Sequence, residues 1–270
     1  MRKEKDPMYR IILIVFSLSV IFSGCSEFQK ALKSKDYEYK YEKALAYYEE
    51  EDWYRSQSLI NDVLPVFRGT QKAKKLFYMK AYTHFNQGEF ILAAYHFKNF
   101  IKTYPNDELT NECEFMLAEC FREESPRYNL DQQNTLKAIE GYQLYINRYP
   151  DNERSEIAQT RIGELRKRLE RKSFDNAQLY FKLRDYKAAS IALKNTLKEF
   201  PDTEYREELL YLIMKSNFLL AENSIKKLQK ERYQETINEY YAFVDEFPAS
   251  KKIKEAEKIF ETSVNEIKKQ

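Results

Sequence analysis

The sequence predicts an all-α protein built from repeated pairs of helices, and three observations lead to that prediction. Only 5 of the 270 residues are glycine, too few for the hairpins of a β fold or the phosphate-binding loops of nucleotide-binding α/β folds. Aromatic–proline pairs recur along the chain, with their prolines 45, 51 and 47 residues apart. The segment before each pair carries apolar residues at helical spacing.

Residues 1–24 have the features of a signal peptide that directs a lipoprotein out of the cytoplasm. Basic residues come first, and the apolar run over 11–22 that follows is shorter than the roughly 20 residues of a membrane-spanning helix. The run ends in Phe22-Ser23-Gly24-Cys25, which resembles a bacterial lipobox, although Phe22 stands where leucine is usual. We therefore expect a mature chain that begins at an acylated Cys25, with residues 25–35 as a tether to the lipid bilayer. An uncleaved hydrophobic N-terminus is the alternative.

Each aromatic–proline pair predicts the end of a helix, because proline cannot continue a helix and moves the preceding residue out of the α region. The four pairs are Tyr104-Pro105, Tyr149-Pro150, Phe200-Pro201 and Phe247-Pro248. When the segments are aligned on these prolines, Ala93 matches Ala189 and Phe97 matches Leu193. This pattern of small and large residues resembles the 34-residue tetratricopeptide repeat, a helix-turn-helix unit.

We therefore expect an α-solenoid of about five tetratricopeptide-like repeats and a C-terminal capping helix. Repeats one and two occupy 36–106, repeat three 110–151, repeats four and five 172–249, and the capping helix lies within 250–270. Repeat three carries an insertion of about eight residues between its helices, and repeat four starts at 172. A generic helical bundle is the alternative.

The repeat register predicts a row of aromatic side chains on one face of the first helix of several repeats. It places them three residues before and four residues after the small residue of each helix, at Tyr41 and Tyr48, Tyr78 and Phe85, and Phe174 and Phe181. In repeats one and two we expect a peptide-binding groove, because aromatic rings with one solvent-exposed edge can bind an extended or helical peptide. Its residues would be Tyr41, Tyr48, Tyr78, Tyr82, Phe85 and Asn86. The alternative is that these rings pack against a neighbouring helix.

Catalysis, metal binding and nucleic-acid binding find no support in the sequence. The two histidines, His84 and His96, have no metal-ligand spacing, and no cofactor is expected. Cys113 and Cys120 lie two helical turns apart, about 10.5 Å between their Cα atoms, which is too far for a disulfide, so we expect buried thiols. Without the leader, the chain has equal numbers of basic and acidic residues. It therefore lacks the basic excess typical of nucleic-acid binding.

The mature chain as a whole resembles one family, the BamD lipoproteins of the outer-membrane β-barrel assembly machine. The lipobox and the repeats ending in Tyr/Phe-Pro carry the resemblance, and the segments 216–224, 231–233 and 240–248 are its most specific part. These segments are similar to the family's last repeat, with its long first helix. Ser26 follows the cysteine. Aspartate at this position resembles a signal for retention in the inner membrane, so its absence favours the outer membrane.

The resemblance implies a scaffold without catalytic activity, anchored on the periplasmic face of the outer membrane. Its C-terminal repeats would dock on the periplasmic domains of a BamA-like, barrel-forming subunit, and its N-terminal repeats would receive segments of unfolded outer-membrane proteins. Two rival functions remain open. One is a different envelope tetratricopeptide adaptor that coordinates cell-wall synthesis or division, and the other is an enzyme with a helical body, such as a wall hydrolase.

Overall fold

The computed structural model describes residues 27–269, which form twelve helices and no strand within that range. Helix α1 is described over residues 27–33. The others are α2 Tyr37–Glu49, α3 Trp53–Val63, α4 Gln71–Asn86, α5 Phe90–Thr103, α6 Thr110–Glu123, α7 Gln133–Arg148, α8 Glu153–Lys182, α9 Tyr186–Glu199, α10 Arg206–Glu222, α11 Lys226–Glu246 and α12 Ile253–Lys268. The all-α prediction is confirmed. The predicted signal peptide and Cys25 lie outside the described residues.

The chain forms two compact units. Unit 1 contains the described residues up to Ser125 together with Gln133–Ile162. Unit 2 contains Pro126–Gln132 and the described residues from Gly163 onward. Among residues 27–269, no helix combines the length and the apolar character needed to cross a bilayer.

The aromatic–proline pairs end helices as predicted. Tyr104, Phe200 and Phe247 are the C-cap residues of α5, α9 and α11, with φ of −128°, −126° and −128°. Helix α7 ends at Arg148, directly before Tyr149-Pro150. The extended φ values are those that proline imposes on the residue before it.

Unit 1 is a succession of helices in which each helix from α2 to α6 packs on the next along the chain. In the first two pairs the helices are joined by short turns, in which Glu51 and Gly88 take positive φ values of 58° and 75°. Small residues lie where helices cross closely: Ala44, Ala81 and Ala93 are fully buried. Such positions exclude larger side chains, which explains the alignment of alanines seen in the sequence.

Unit 2 encloses a second apolar core around α10. This helix is buried along most of its length and contacts α9, α11 and α12. Phe174 and Ala177 of α8, Leu193 of α9 and Phe243 of α11 share that core. Helix α12 covers one end of it with Ala256 and Ile259, which is consistent with a capping role.

The structure differs from the sequence analysis in three places. Residues 27–33, expected to be part of a tether, are helical and place Phe28 and Ala31 in the core of unit 1. The first helix of repeat four starts at Glu153 rather than near 172, because no proline interrupts the chain between 153 and 182. In repeat five the second helix, with 21 residues, is the longer one, whereas the first has 17.

Candidate functional site

Helices α2 and α4, the first helices of the first two pairs, carry the aromatic residues predicted for the groove. Tyr48 comes from α2, and Tyr78 and Tyr82 come from successive turns of α4. The rings of Tyr78 and Tyr82 lie 4.8 Å apart, and the Tyr48 ring packs edge-on against Trp53 at 5.3 Å. All three tyrosines are half-buried, so each ring keeps one accessible part. We call the face formed by these residues and by Phe85, Asn86 and Glu112 the aromatic face.

A carboxylate from α6 organises the polar edge of the aromatic face. The Tyr82 hydroxyl donates a hydrogen bond of 2.6 Å to Glu112 Oε1. Arg154, in the first turn of α8, donates from Nη2 to the same oxygen at 2.9 Å. The Arg154 guanidinium also lies 5.9 Å from the ring centre of Phe115. Three helices thus converge on one carboxylate, whose charge is balanced by one arginine.

The environment of the aromatic face keeps its tyrosines protonated. Burial, and then the charge of Glu112, raise the pKa of Tyr48 to about 12. Burial also raises the pKa of Tyr78, and burial together with the hydrogen bond to Glu112 raises that of Tyr82 still further. A phenol that stays protonated can donate a hydrogen bond, as that of Tyr82 does to Glu112, so the tyrosines add ring surface and no negative charge to the face.

The remaining predicted groove residues occupy different environments. Phe85 is half-buried with its ring 5.3 Å from that of Phe90, and Asn86 is exposed at the end of α4. Tyr41, in contrast, is only 7% exposed. Its ring packs edge-on against Phe67 from the α3–α4 connection, and Lys72 lies above it at 4.8 Å. Five of the six predicted residues are therefore at least partly exposed, whereas Tyr41 lies in the core.

The corresponding rings of unit 2 are packed against neighbouring aromatic residues. Phe174 is 5% exposed and stacks on Tyr205 with ring centres 4.5 Å apart. Phe181 packs edge-on against Tyr186 at 5.8 Å. The aromatic pattern of repeat four thus serves contacts within unit 2.

Glu112 and Arg154 were missed by the sequence analysis, yet the repeat spacing could have identified them. Glu112 lies 34 residues after Tyr78, which is one tetratricopeptide repeat. Arg154 follows Glu112 by 42 residues, which is one repeat plus the insertion of repeat three. The repeat pattern of small and aromatic residues does not include these charged positions.

The histidines and cysteines take structural positions. His84 is buried, contacts the Gln57 amide, and pairs through Nδ1 with Glu89 Oε2 at 2.6 Å. His84 and His96 stack with ring centres 4.8 Å apart. Cys113 and Cys120 are free and buried, as predicted. Within residues 27–269 no group of three or more potential metal ligands comes together.

Comparisons with known proteins bear on the chain as a whole. A family model described as YfiO, outer membrane lipoprotein, matches residues 33–232, well over half of the chain. A comparison with curated proteins found no match. Among solved structures, the tetratricopeptide-repeat domain of P58(IPK) is similar at 16% identity and a TM-score of 0.38, covering 93% of this chain and 68% of that one. The family match is sufficient by itself: the chain belongs to the YfiO family of outer membrane lipoproteins, which is the BamD family that its sequence resembles.

Proposed function

We propose that this protein is a non-enzymatic scaffold of the machine that assembles β-barrel proteins in the outer membrane. In this proposal the mature chain is held at the periplasmic face of that membrane by acyl groups on Cys25. The observation that carries the proposal is the match to an outer membrane lipoprotein family across residues 33–232. The signal peptide and lipobox at the start of the sequence support the anchor.

Within this scaffold, the aromatic face of unit 1 receives segments of unfolded outer-membrane proteins. Its rings provide apolar contact area at low entropic cost, since each has only two side-chain torsions. The side chain of Asn86, exposed at the end of α4, adds hydrogen-bonding groups that a peptide backbone can use. Repeats four and five and α12, in unit 2, bind the barrel-forming BamA-like subunit.

Peptide binding tests the role of the aromatic face. A fluorescently labelled C-terminal peptide of an outer-membrane protein is titrated with the chain, and affinity is read from anisotropy. Phe85→Ala removes a ring at the end of the face, and we expect a loss of affinity of about tenfold or more, as for an aromatic anchor. Asn86→Ala, at an exposed position, should weaken binding less and leave the fold intact.

The matched control is Tyr54→Ala, which removes an exposed aromatic ring of unit 1 that lies on α3, outside the aromatic face. This variant should bind the peptide as tightly as the unchanged protein. Equal affinity for the peptide in all four proteins would refute peptide binding by the aromatic face.

Gentle solubilisation of membranes tests the scaffold role separately. The protein should co-purify with a large β-barrel protein that carries periplasmic repeats, and Cys25→Ser should release it from the membrane fraction. Recovery with cell-wall synthesis or division proteins instead would favour the alternative adaptor. Phe85→Ala should not alter co-purification, because the docking surface lies in unit 2.

A further inference from the structure

A basic surface lies in unit 2, where the beginning of α11 meets the end of α12. A cleft of about 660 Å³ there is lined by Lys226, Lys227, Gln229, Lys230, Glu266 and Lys269. The four lysines are all exposed. We call Ile225 and these four lysines the lysine surface.

The lysine surface carries positive charge that the described residues do not neutralise. Lys269 pairs with Glu266 at 2.6 Å, whereas Lys226, Lys227 and Lys230 pair with no acidic group among residues 27–269. Two other acidic residues are nearby. Glu222 lies, like Glu266, near Tyr233, and Glu231 lines a different cleft beside α9. Three cations therefore remain available to an external anion.

These lysines occupy an unfavourable position in their own helix. The amino end of an α-helix has a partial positive charge, so acidic residues are favoured there and cations disfavoured. Helices α2, α6, α8, α10 and α12 follow this rule with at least one acidic residue in the first turn. Helix α11 has none, like α3, α4, α5, α7 and α9, and it begins with Lys226 and Lys227. Two cations at this end of a helix are electrostatically unfavourable, and an external anion would offset that cost.

An exposed apolar residue adjoins the lysines. Ile225, the N-cap residue of α11, is 69% exposed and is followed directly by Lys226 and Lys227. Large aliphatic residues next to clustered lysines are typical of surfaces that lie on anionic bilayers, where the aliphatic group enters the interface and the lysines contact headgroup phosphates.

We propose that the lysine surface binds anionic phospholipid headgroups of a bilayer, a second membrane contact in addition to the expected acyl anchor. The contact is electrostatic and reversible, and it places unit 2 against a lipid surface. It is independent of peptide binding by the aromatic face and of the proposed scaffold function.

Vesicle co-sedimentation tests this proposal. The protein used is residues 26–270, which retains every described helix and lacks Cys25, so acylation cannot contribute. It should bind mixed phosphatidylcholine–phosphatidylglycerol vesicles and not vesicles of phosphatidylcholine alone, and added salt should weaken binding. Combining Lys226→Gln, Lys227→Gln and Lys230→Gln should lower the vesicle affinity by at least about tenfold.

The matched control replaces three other exposed lysines of unit 2, Lys187, Lys198 and Lys258, by glutamine. It removes the same charge and should retain vesicle binding within about twofold. Circular dichroism verifies that both triple variants stay helical. Equal losses in the two variants, no preference for the anionic vesicles, displacement by low concentrations of inorganic phosphate, or binding to polyglutamate but not to vesicles would each overturn the proposal.

Discussion

The hydrogen bond between Tyr82 and Glu112 makes a measurable contribution to the stability of unit 1. Its oxygens are 2.6 Å apart and the acceptor is a carboxylate, a type of bond that contributes about 1.5–3 kcal/mol. Tyr82→Phe removes only the hydroxyl, and Glu112 then still pairs with Arg154. We therefore expect the low end of that range, a loss of about 1.5 kcal/mol in the free energy of unfolding.

Glu112→Gln keeps the size of the side chain and removes its charge. It weakens the bond from Tyr82 and the partly exposed ion pair with Arg154, so we expect a loss of about 2 kcal/mol. Since both changes act on one hydrogen bond, the double variant should lose less than their sum, by about 1 kcal/mol.

Urea unfolding measured by tryptophan fluorescence gives all three values. Trp53 is the only tryptophan of the sequence and lies in unit 1, with its ring 5.3 Å from that of Tyr48. Tyr54→Phe, which removes an exposed hydroxyl of the same unit, is the control and should change stability by less than about 0.5 kcal/mol. Strictly additive effects of the two substitutions would show that the bond does not couple them, and the reasoning would be refuted.

Three further outcomes are expected. Gly163→Ala in α8 adds a Cβ that meets open space, and it should raise the free energy of unfolding by about 0.5–1 kcal/mol. Gly141→Ala should bring no such gain, because its Cβ would lie 3.0 Å from that of Ala118, and equal shifts of the thermal unfolding temperature in the two variants would contradict this. Burial lowers the pKa of His96 from 6.5 to about 4, so the folded state favours the neutral ring and stability should fall as the pH drops between these values; His96→Asn should flatten that part of the urea-midpoint profile, and an unchanged slope would count against it. The pKa of Tyr48 is raised from 10.0 to about 12, so its contribution is complete below pH 10 and lost as the pH rises through 12; Tyr48→Phe should reduce the alkaline loss of stability seen by circular dichroism, and an identical profile would exclude the effect.

The helix ends were predictable because their cause lies within two residues. Proline lacks an N–H and restricts the residue before it, and these effects act wherever Tyr-Pro or Phe-Pro occurs. The buried alanines were predictable for a similar reason, since helices that cross closely need small residues at fixed spacing. Both kinds of signal are local and repeat along the chain.

The composition of the aromatic face was only partly predictable because it depends on contacts between distant segments. The burial of Tyr41 results from Phe67, which the connection after Pro65 brings over its ring. Nothing in the repeat pattern assigns a role to that irregular connection. The insertion in repeat three likewise displaced the register, so Arg154 was not aligned with Glu112.

Helix α8 has a practical consequence for anyone who wishes to divide this protein into halves. With 30 residues and a rise of 1.5 Å per residue, it runs about 45 Å without a loop. A cut at the boundary between the two units, after Ile162, therefore severs this helix and leaves four carbonyl groups on one fragment and four amides on the other without their partners. Fragments divided there should fray at the severed ends. Loss of function in a half-molecule would therefore result from the damaged helix as well as from the missing repeats.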